Sequence, residues 1–212
     1  MRIRKYGINL ARLTHDRIEM VRQWRNAPQI RDFMEYRETI TPQMQEKWFL
    51  QLDPLRDFYF IIEYHNAPVG LIHTSGIDWL EKSGHSGLFI HKSELLGTQV
   101  PVLASLSMVD FFFTICALEK LHAKVMEINP VAIKYNAHLG FKPAEPVSEK
   151  KFRNYTLSKP DYFNATARLH LLTKAAHDKT DTVELKRELF EELQSHNALL
   201  PNYAAKGLRI MD

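Results

Sequence analysis

The chain has 212 residues, of which 45% are hydrophobic and 25% are charged, proportions that exclude a chain disordered throughout. Its 28 Lys and Arg residues are scattered except for short clusters at residues 2–5 and 150–153, which we interpret as solvated surface. The net charge of +3 predicts no nucleic-acid interface. The length suits one domain, with or without an appendage.

A single cysteine, Cys116, excludes an internal disulfide framework. Its apolar surroundings predict a small buried thiol rather than a nucleophile. None of the ten histidines has a partner at a metal-ligand spacing such as H-x-x-x-H, so no metal site is predicted. The start Met-Arg-Ile-Arg lacks the apolar run of a signal peptide, and we expect a cytoplasmic protein without a membrane span.

Three short helices are predicted first. Helix one begins after Thr14 and ends before Pro28, with an apolar face at helical spacing: Ile18, Val21 and Trp24. The second is a turn or two containing Ile30, Phe33 and Met34. The third opens at Pro42, with a predicted inner face of Met44, Trp48 and Leu52.

Strands and helices then alternate. They are predicted in this order: strands at 58–64 and 69–74 forming a hairpin, a strand at 85–91, a helix at 101–118, a strand at 123–128, a helix at 131–138 ending at Gly140, and strands near 152–158 and 166–172. This succession predicts a mixed α/β sheet.

The pattern changes near residue 180. A charged amphipathic helix is predicted from Asp181, Val183, Leu185, Leu189, Phe190 and Leu193. We therefore divide the chain into a main domain, 1–175, and a C-terminal helical extension, 176–212. The helix could dock on its own domain, pack in a homodimer or cover the substrate.

The segment from Gly87 to Phe113 reads as strand, loop and helix, with Gly97 in the loop and Pro101 at the helix start. Unpaired N–H groups in the first turn of such a helix can bind a phosphate. An ordinary helix start that binds nothing fits the same spacing.

Two later motifs carry a family resemblance. Asn129-Pro130-Val131-Ala132-Ile133, followed by Leu139-Gly140-Phe141, resembles the N-x-x-A-I and L-G-F signature of the GNAT superfamily of acyl-CoA N-acetyltransferases. Asp110-Phe111-Phe112-Phe113 is similar to that family's D-Y-A-F helix end. Of the three glycines in its R-G-K-G-I-G loop, Gly97 alone is retained, since Gln99 and Pro101 replace the others. The resemblance, over about residues 8–158, implies a mostly antiparallel central sheet flanked by helices.

The resemblance also implies acetyl-CoA as cofactor, and it places the following residues beside it: Phe89, Ile90 and His91 through their backbone, Leu96, Gly97, Thr98, Gln99 and Val100 in the pyrophosphate loop, and Asn129 and Asn136. Asn136 stands where relatives often carry a catalytic tyrosine. Tyr135 is one position early, about 100° around a helix, and is expected to point elsewhere. Phe89 to His91 would look the same in an ordinary buried strand.

The catalytic candidates are Asn129, His85 and Glu127. By resemblance Asn129 orients groups near the thioester, although an asparagine before proline is also a routine helix start. His85 is the best candidate for the base, because histidine readily takes up a proton near neutral pH. Glu127 could relay a proton through water if it faces the cleft.

The stretch Trp24 to Met34 resembles the W-R-N-x-P-x-I-R-x-F-M segment of bacterial nucleotide-sugar N-acetyltransferases. That resemblance implies acceptor contacts from Arg25, Asn26, Arg31 and Met34, and an arginine fork suits a diphosphate. We therefore expect an acetyl-CoA-dependent N-acetyltransferase acting on a small primary amine, an amino sugar on a nucleotide. The alternatives are a ribosomal-protein type N-terminal acetyltransferase, and a GNAT-fold binding module that has lost catalysis.

Overall fold

The computed structural model describes residues 1–144, 151–177, 181–196 and 207–212. Within these ranges ten strands form one sheet. In chain order they are β1 Arg2–Lys5, β2 Ile8–Arg12, β3 Phe58–Tyr64, β4 Ala67–Asp78, β5 Ser83–Ile90, β6 Lys120–Met126, β7 Lys142–Pro143, β8 Phe152–Ser158, β9 Thr182–Lys186 and β10 Leu208–Met211.

The same ranges contain seven α-helices: α1 Ile18–Asn26, α2 Pro28–Arg31, α3 Pro42–Leu50, α4 Val100–Asp110, α5 Pro130–His138, α6 Lys159–His177 and α7 Arg187–Ser195. A π-helical turn, Phe111–Ile115, continues α4. No helix in the described part of the chain is both long and apolar enough to span a bilayer.

The spatial order of the strands is β10-β9-β1-β2-β3-β4-β5-β6-β8-β7. Neighbours are antiparallel except β5 with β6 and β9 with β10. The predicted mixed, mostly antiparallel sheet flanked by helices is therefore confirmed.

Each face of the sheet is covered by helices. On one face, which we call the α1–α3 face, Ile18, Val21 and Trp24 pack over Ile61 and Leu71 in a small separate core. The main core lies on the other face, under α4. Nearly every residue of α4 is buried, which explains a sequence that is apolar all round.

Some sequence predictions are wrong in detail. Residues 166–172, predicted as a strand, belong to α6. The inner face of this helix carries polar residues at a spacing of four, and these hid the helical period in the sequence: Tyr162, Thr166 and His170. In the third helix Gln45 is buried whereas Met44 is exposed. The Arg2–Lys5 cluster is a strand, β1, with Ile3 fully buried.

The C-terminal segment is only partly helical. Val183 and Leu185, predicted on a helix, lie on β9, which pairs with β1. Leu189, Phe190 and Leu193 do lie on a helix, α7. The division at residue 175 stays a prediction, and Thr180 and Lys150 lie outside the described residues.

One buried carboxylate ties these layers together. Asp110, 2% exposed, ends α4 and accepts hydrogen bonds from Lys5 Nζ and Tyr6 Oη, each at 2.6 Å. Tyr162 Oη at 2.7 Å and His170 Nε2 at 2.9 Å complete its shell. Burial by itself would raise the pKa of Asp110, but the bond from His170 and the charge of Lys5 outweigh it and lower that pKa to about 2.

We predict that Asp110→Asn lowers the free energy of unfolding at pH 7 by about 3 kcal/mol, because it leaves buried donors without their anion. For a chain of this length the melting temperature should fall by roughly 6–12 °C. Asp212→Asn, which breaks the exposed ion pair with Arg187, is the control and should change little.

The wild-type protein and Asp110→Asn also provide a test of pH dependence. Because folding lowers the pKa of Asp110, its contribution is present above the ordinary pKa of an aspartate and is lost as pH falls toward about 2. The pKa of His170 is raised, since Asp110 outweighs the effect of burial, so its contribution is lost as pH rises. Denaturant titration should show the wild-type advantage over Asp110→Asn shrinking between about pH 5 and pH 2. An advantage that grew as the pH fell through that window would contradict this account.

Candidate active site

The sheet splits between β5 and β6. These parallel strands pair only where Ser83 to His85 meet Lys120 to His122. Beyond that point β5 continues along β4 and β6 continues along β8. A gap therefore opens toward the carboxyl ends of both strands.

The register of β5 decides which backbone groups face the gap. His91 N–H donates to Val69 O at 2.8 Å, so His91 faces β4 and its donor is used. Backbone direction alternates along a strand, so Phe89 also faces β4 while Leu88 and Ile90 face the gap. Of the three predicted residues, Ile90 turns its backbone to the gap and Phe89 and His91 turn theirs to β4; Leu88, which was not predicted, also faces the gap. Only the pairing with β4 reveals this phase.

Beside the gap, the loop before α4 offers further donors. Gly97 has φ +82°, and a Cβ placed on it would meet no atom within 4 Å. The N–H groups of Gly97, Gln99 and Val102 make no hydrogen bond to any residue described in the structure. This open turn can hold an anion even though Pro101 has no N–H.

Two other predicted loop residues serve the loop itself. The Thr98 hydroxyl donates to Leu95 O at 2.7 Å and accepts from Val100 N–H at 3.2 Å. The Thr98 hydroxyl and the Val100 N–H are therefore not free for a ligand. Leu96 is 57% exposed and borders the loop on the side of β5.

Helix α5 closes the far side of the gap. Asn129 caps it, because Asn129 Oδ1 accepts from Ala132 N–H at 3.0 Å, and Asn136 Nδ2 donates to Ala132 O at 2.8 Å. Tyr135 Oη donates to Pro101 O at 2.8 Å and burial raises its pKa. Tyr135 therefore points into the packing against α4, as predicted, and the visible role of both asparagines is local.

A row of polar side chains lies on the α1–α3 face where the gap begins. His85 sits opposite His122, with ring centroids 5.4 Å apart, and His73 sits opposite Gly87. Tyr59 stacks on His73 at 4.8 Å. Sequence reasoning found His85 alone. The period-two pattern that puts these residues on one face could have found the others, but only with the strand register known.

Burial shapes the protonation of this row. Burial lowers the pKa of His73 to about 4, and the charge of His85 adds to the effect. Burial, with the charges of His85 and Lys120, also lowers the pKa of His122. Of this row, His73 and His122 are therefore neutral imidazoles near neutral pH.

Glu127 lies elsewhere. It is exposed in the turn after β6, and its N–H donates to Lys151 O at 3.0 Å. It lies five positions beyond His122, roughly 16 Å along an extended chain. A relay through Glu127 therefore stays a prediction.

The predicted acceptor residues separate into two kinds. Arg25 Nη1 is buried and has no hydrogen-bond partner among the described residues. Asn26 makes two hydrogen bonds to the backbone of Ile40, and Met34 packs in the small core, so neither is free. Arg31 is half-exposed beside Asp32.

Residues 32–41, which we call the strap, connect α2 with α3 and reach β6. Glu35 pairs with Lys124, and Arg37 Nη2 lies 3.5 Å from Met126 Sδ. Because α1 lies over β3 to β5, the strap crosses the gap on the α1–α3 face. It gives the site a wall on the side opposite α4.

The sheet is parted between two parallel strands beside an open helix N-terminus, the arrangement expected of the GNAT fold. A family model described as the acetyltransferase (GNAT) domain matches residues 8–142. The chain therefore belongs to the GNAT acetyltransferase family and is an enzyme of the acyltransferase type. No curated protein matches its sequence.

Solved structures agree on the fold. FdhC, a nucleotide-linked sugar GNAT, has a TM-score of 0.67 and 15% identity over 80% of this chain and 96% of that chain. The spermidine/spermine N-acetyltransferase SpeG from Vibrio cholerae has a TM-score of 0.63 and 18% identity over 76% and 98%. A domain from Methanocaldococcus jannaschii has a TM-score of 0.61 and 22% identity over 71% and 97%.

We predict that Gly97→Arg weakens acetyl-CoA binding at least tenfold, about 1.4 kcal/mol, because a side chain would fill the open turn. Gly97→Ala separates the effect of side-chain bulk from that of backbone strain, since it imposes the strain of a positive φ without the bulk. Isothermal titration measures both variants. Affinity within twofold of wild type for Gly97→Arg would show that the turn is not the binding site.

Proposed function

We propose that this protein is an acetyl-CoA-dependent N-acetyltransferase that transfers the acetyl group directly to a primary amine carried by a nucleotide-linked sugar. The observation that carries the transferase part is the gap between β5 and β6, with free backbone groups along one edge. Family membership supports acetyl-CoA as the donor.

The described residues fit that cofactor. When bound, it supplies an activated acetyl thioester. The N–H groups of Leu88 and Ile90 line the gap and would bind the pantetheine arm and the thioester carbonyl, where such donors stabilise developing negative charge. The N–H groups of Gly97, Gln99 and Val102 would bind the pyrophosphate. No covalent intermediate on the protein is needed.

The acceptor side supports an anionic substrate. Arg25 has no carboxylate partner in the described part of the chain, and the facing row carries histidines rather than acids. A polyamine with several positive charges would be repelled there. A nucleotide-linked sugar brings a diphosphate that the Arg25 fork can bind in two hydrogen bonds.

The binding-module alternative rests on Gln99, Pro101 and Asn136, which depart from the family pattern. The backbone donors of the turn remain in spite of these changes, which favours retained cofactor binding. Titration with acetyl-CoA decides between the transferase and the binding module. Absence of heat at millimolar cofactor would leave only the module, and acetylation of a peptide α-amine but not of a sugar nucleotide would favour the N-terminal acetyltransferase.

We predict that Arg25→Met raises the KM for a UDP-linked amino sugar by tenfold or more, while the affinity for acetyl-CoA stays within twofold. The expected loss corresponds to about 1.5–3 kcal/mol for a hydrogen bond to a charged group. Initial rates of CoA release, measured against acceptor concentration, test it.

Arg31→Met is the matched control, because Arg31 is half-exposed and lies 3.6 Å from Asp32. It should change the KM by less than twofold. Equal effects of the two variants would show that long-range charge, rather than a bound phosphate at Arg25, attracts the acceptor. No effect of Arg25→Met would place the acceptor elsewhere.

A further inference from the structure

His73 occupies space that a glycine leaves open. A Cβ on Gly87 would lie closer to His73 Nε2 than two atoms can approach. The register explains this, since His73 of β4 is directly opposite Gly87 of β5. The His73 ring therefore leans across β5, toward the gap, on the α1–α3 face.

This position is next to the reacting centre of the proposed transferase. Gly87 directly precedes Leu88, whose backbone faces the gap beyond the last paired residue, His85. An amine that attacks a carbonyl bound at Leu88 from the α1–α3 face must pass over Gly87. His73 Nε2 is the side-chain nitrogen at that place.

The ring is held from two directions. Tyr59 stacks on it with an interplanar angle of 19°, and Trp48 packs edge-on against Tyr59. Ser75 Oγ lies 3.2 Å from His73 Nδ1. If the Nδ1 proton is donated to Ser75, Nε2 presents a lone pair toward the gap.

Burial and the nearby charges keep the His73 ring neutral. Burial is the main cause of its low pKa, and the charges of His85 and Arg25 act in the same direction. Asp57 acts in the opposite direction and does not outweigh them. A neutral imidazole can accept a hydrogen bond from an amine at pH 7 without first being protonated.

We propose that His73 is a catalytic residue that contacts the acceptor, its Nε2 accepting a hydrogen bond from the attacking amino group over Gly87. This inference rests on the proposed transferase function. As the nitrogen–carbon bond forms and the carbon–sulfur bond breaks, the amine proton passes to the exposed His85 imidazole, and the thiolate leaves with CoA. His73 orients the amine lone pair toward the carbonyl and does not itself keep the proton.

The first test is His73→Phe, which preserves the stack on Tyr59 and removes both nitrogens. We expect kcat to fall about 100-fold, the scale of losing a contact that orients a reacting group, with acetyl-CoA affinity within twofold of wild type. Gly87→Ala, which displaces the ring, should give a similar loss. His15→Phe, at an exposed histidine paired with Glu46, is the matched control and should leave kcat unchanged.

The second test does not need turnover. Long-range ¹H–¹⁵N NMR of histidine-labelled protein at pH 7 should show His73 neutral, with the proton on Nδ1 and none on Nε2. A proton on Nε2 would overturn the proposal, as would a wild-type kcat in His73→Phe while the wild-type enzyme is active. A wild-type protein that binds acetyl-CoA but acetylates no amine of a panel of UDP-amino sugars, peptides and polyamines would instead overturn the proposed function, and this role with it.

Discussion

A β-strand can pair along two edges, and the site exists because β5 uses its second edge for only three residues. From Leu88 onward that edge faces a gap rather than β6. Backbone donors left unpaired inside a folded protein are costly unless water or a ligand satisfies them. The parting of the sheet is thus both a local cost and the reason that an extended ligand can be bound there as an additional strand.

Helix α4 joins this gap to the stability of the whole molecule. Its N-terminus presents the open turn at Gly97, and its C-terminus presents Asp110 to β1 and α6. A helix fixed at one end by a charged network cannot shift without breaking buried hydrogen bonds. The position of the open turn is therefore set by residues far from it in sequence, such as Lys5 and Tyr162.

The two sides of the gap have different chemistry. On the α4 side the donors are backbone groups, which Gln99 keeps in place of a glycine; Pro101 removes one donor, and the N–H groups of Gly97, Gln99 and Val102 remain. On the α1–α3 face the groups are side chains, including Arg25 and His73, and we propose that these select the acceptor. Arg25 Nη1 is buried without a hydrogen-bond partner among the described residues, which would raise the cost of a charged amine beside it.

The sequence alone determined the elements with strong local signals: the helix after Pro101, the helix capped by Asn129, the hairpin of β3 and β4, and the family resemblance between Asn129 and Phe141. It could not determine which face or edge each residue uses. Three features depend on strand register and on contacts between distant segments: whether Leu88 or Phe89 faces the gap, whether Asn26 is free, and the contact of His73 with Gly87. Period-two patterns fix alternation but not its phase, and only packing against neighbouring strands and helices sets that phase.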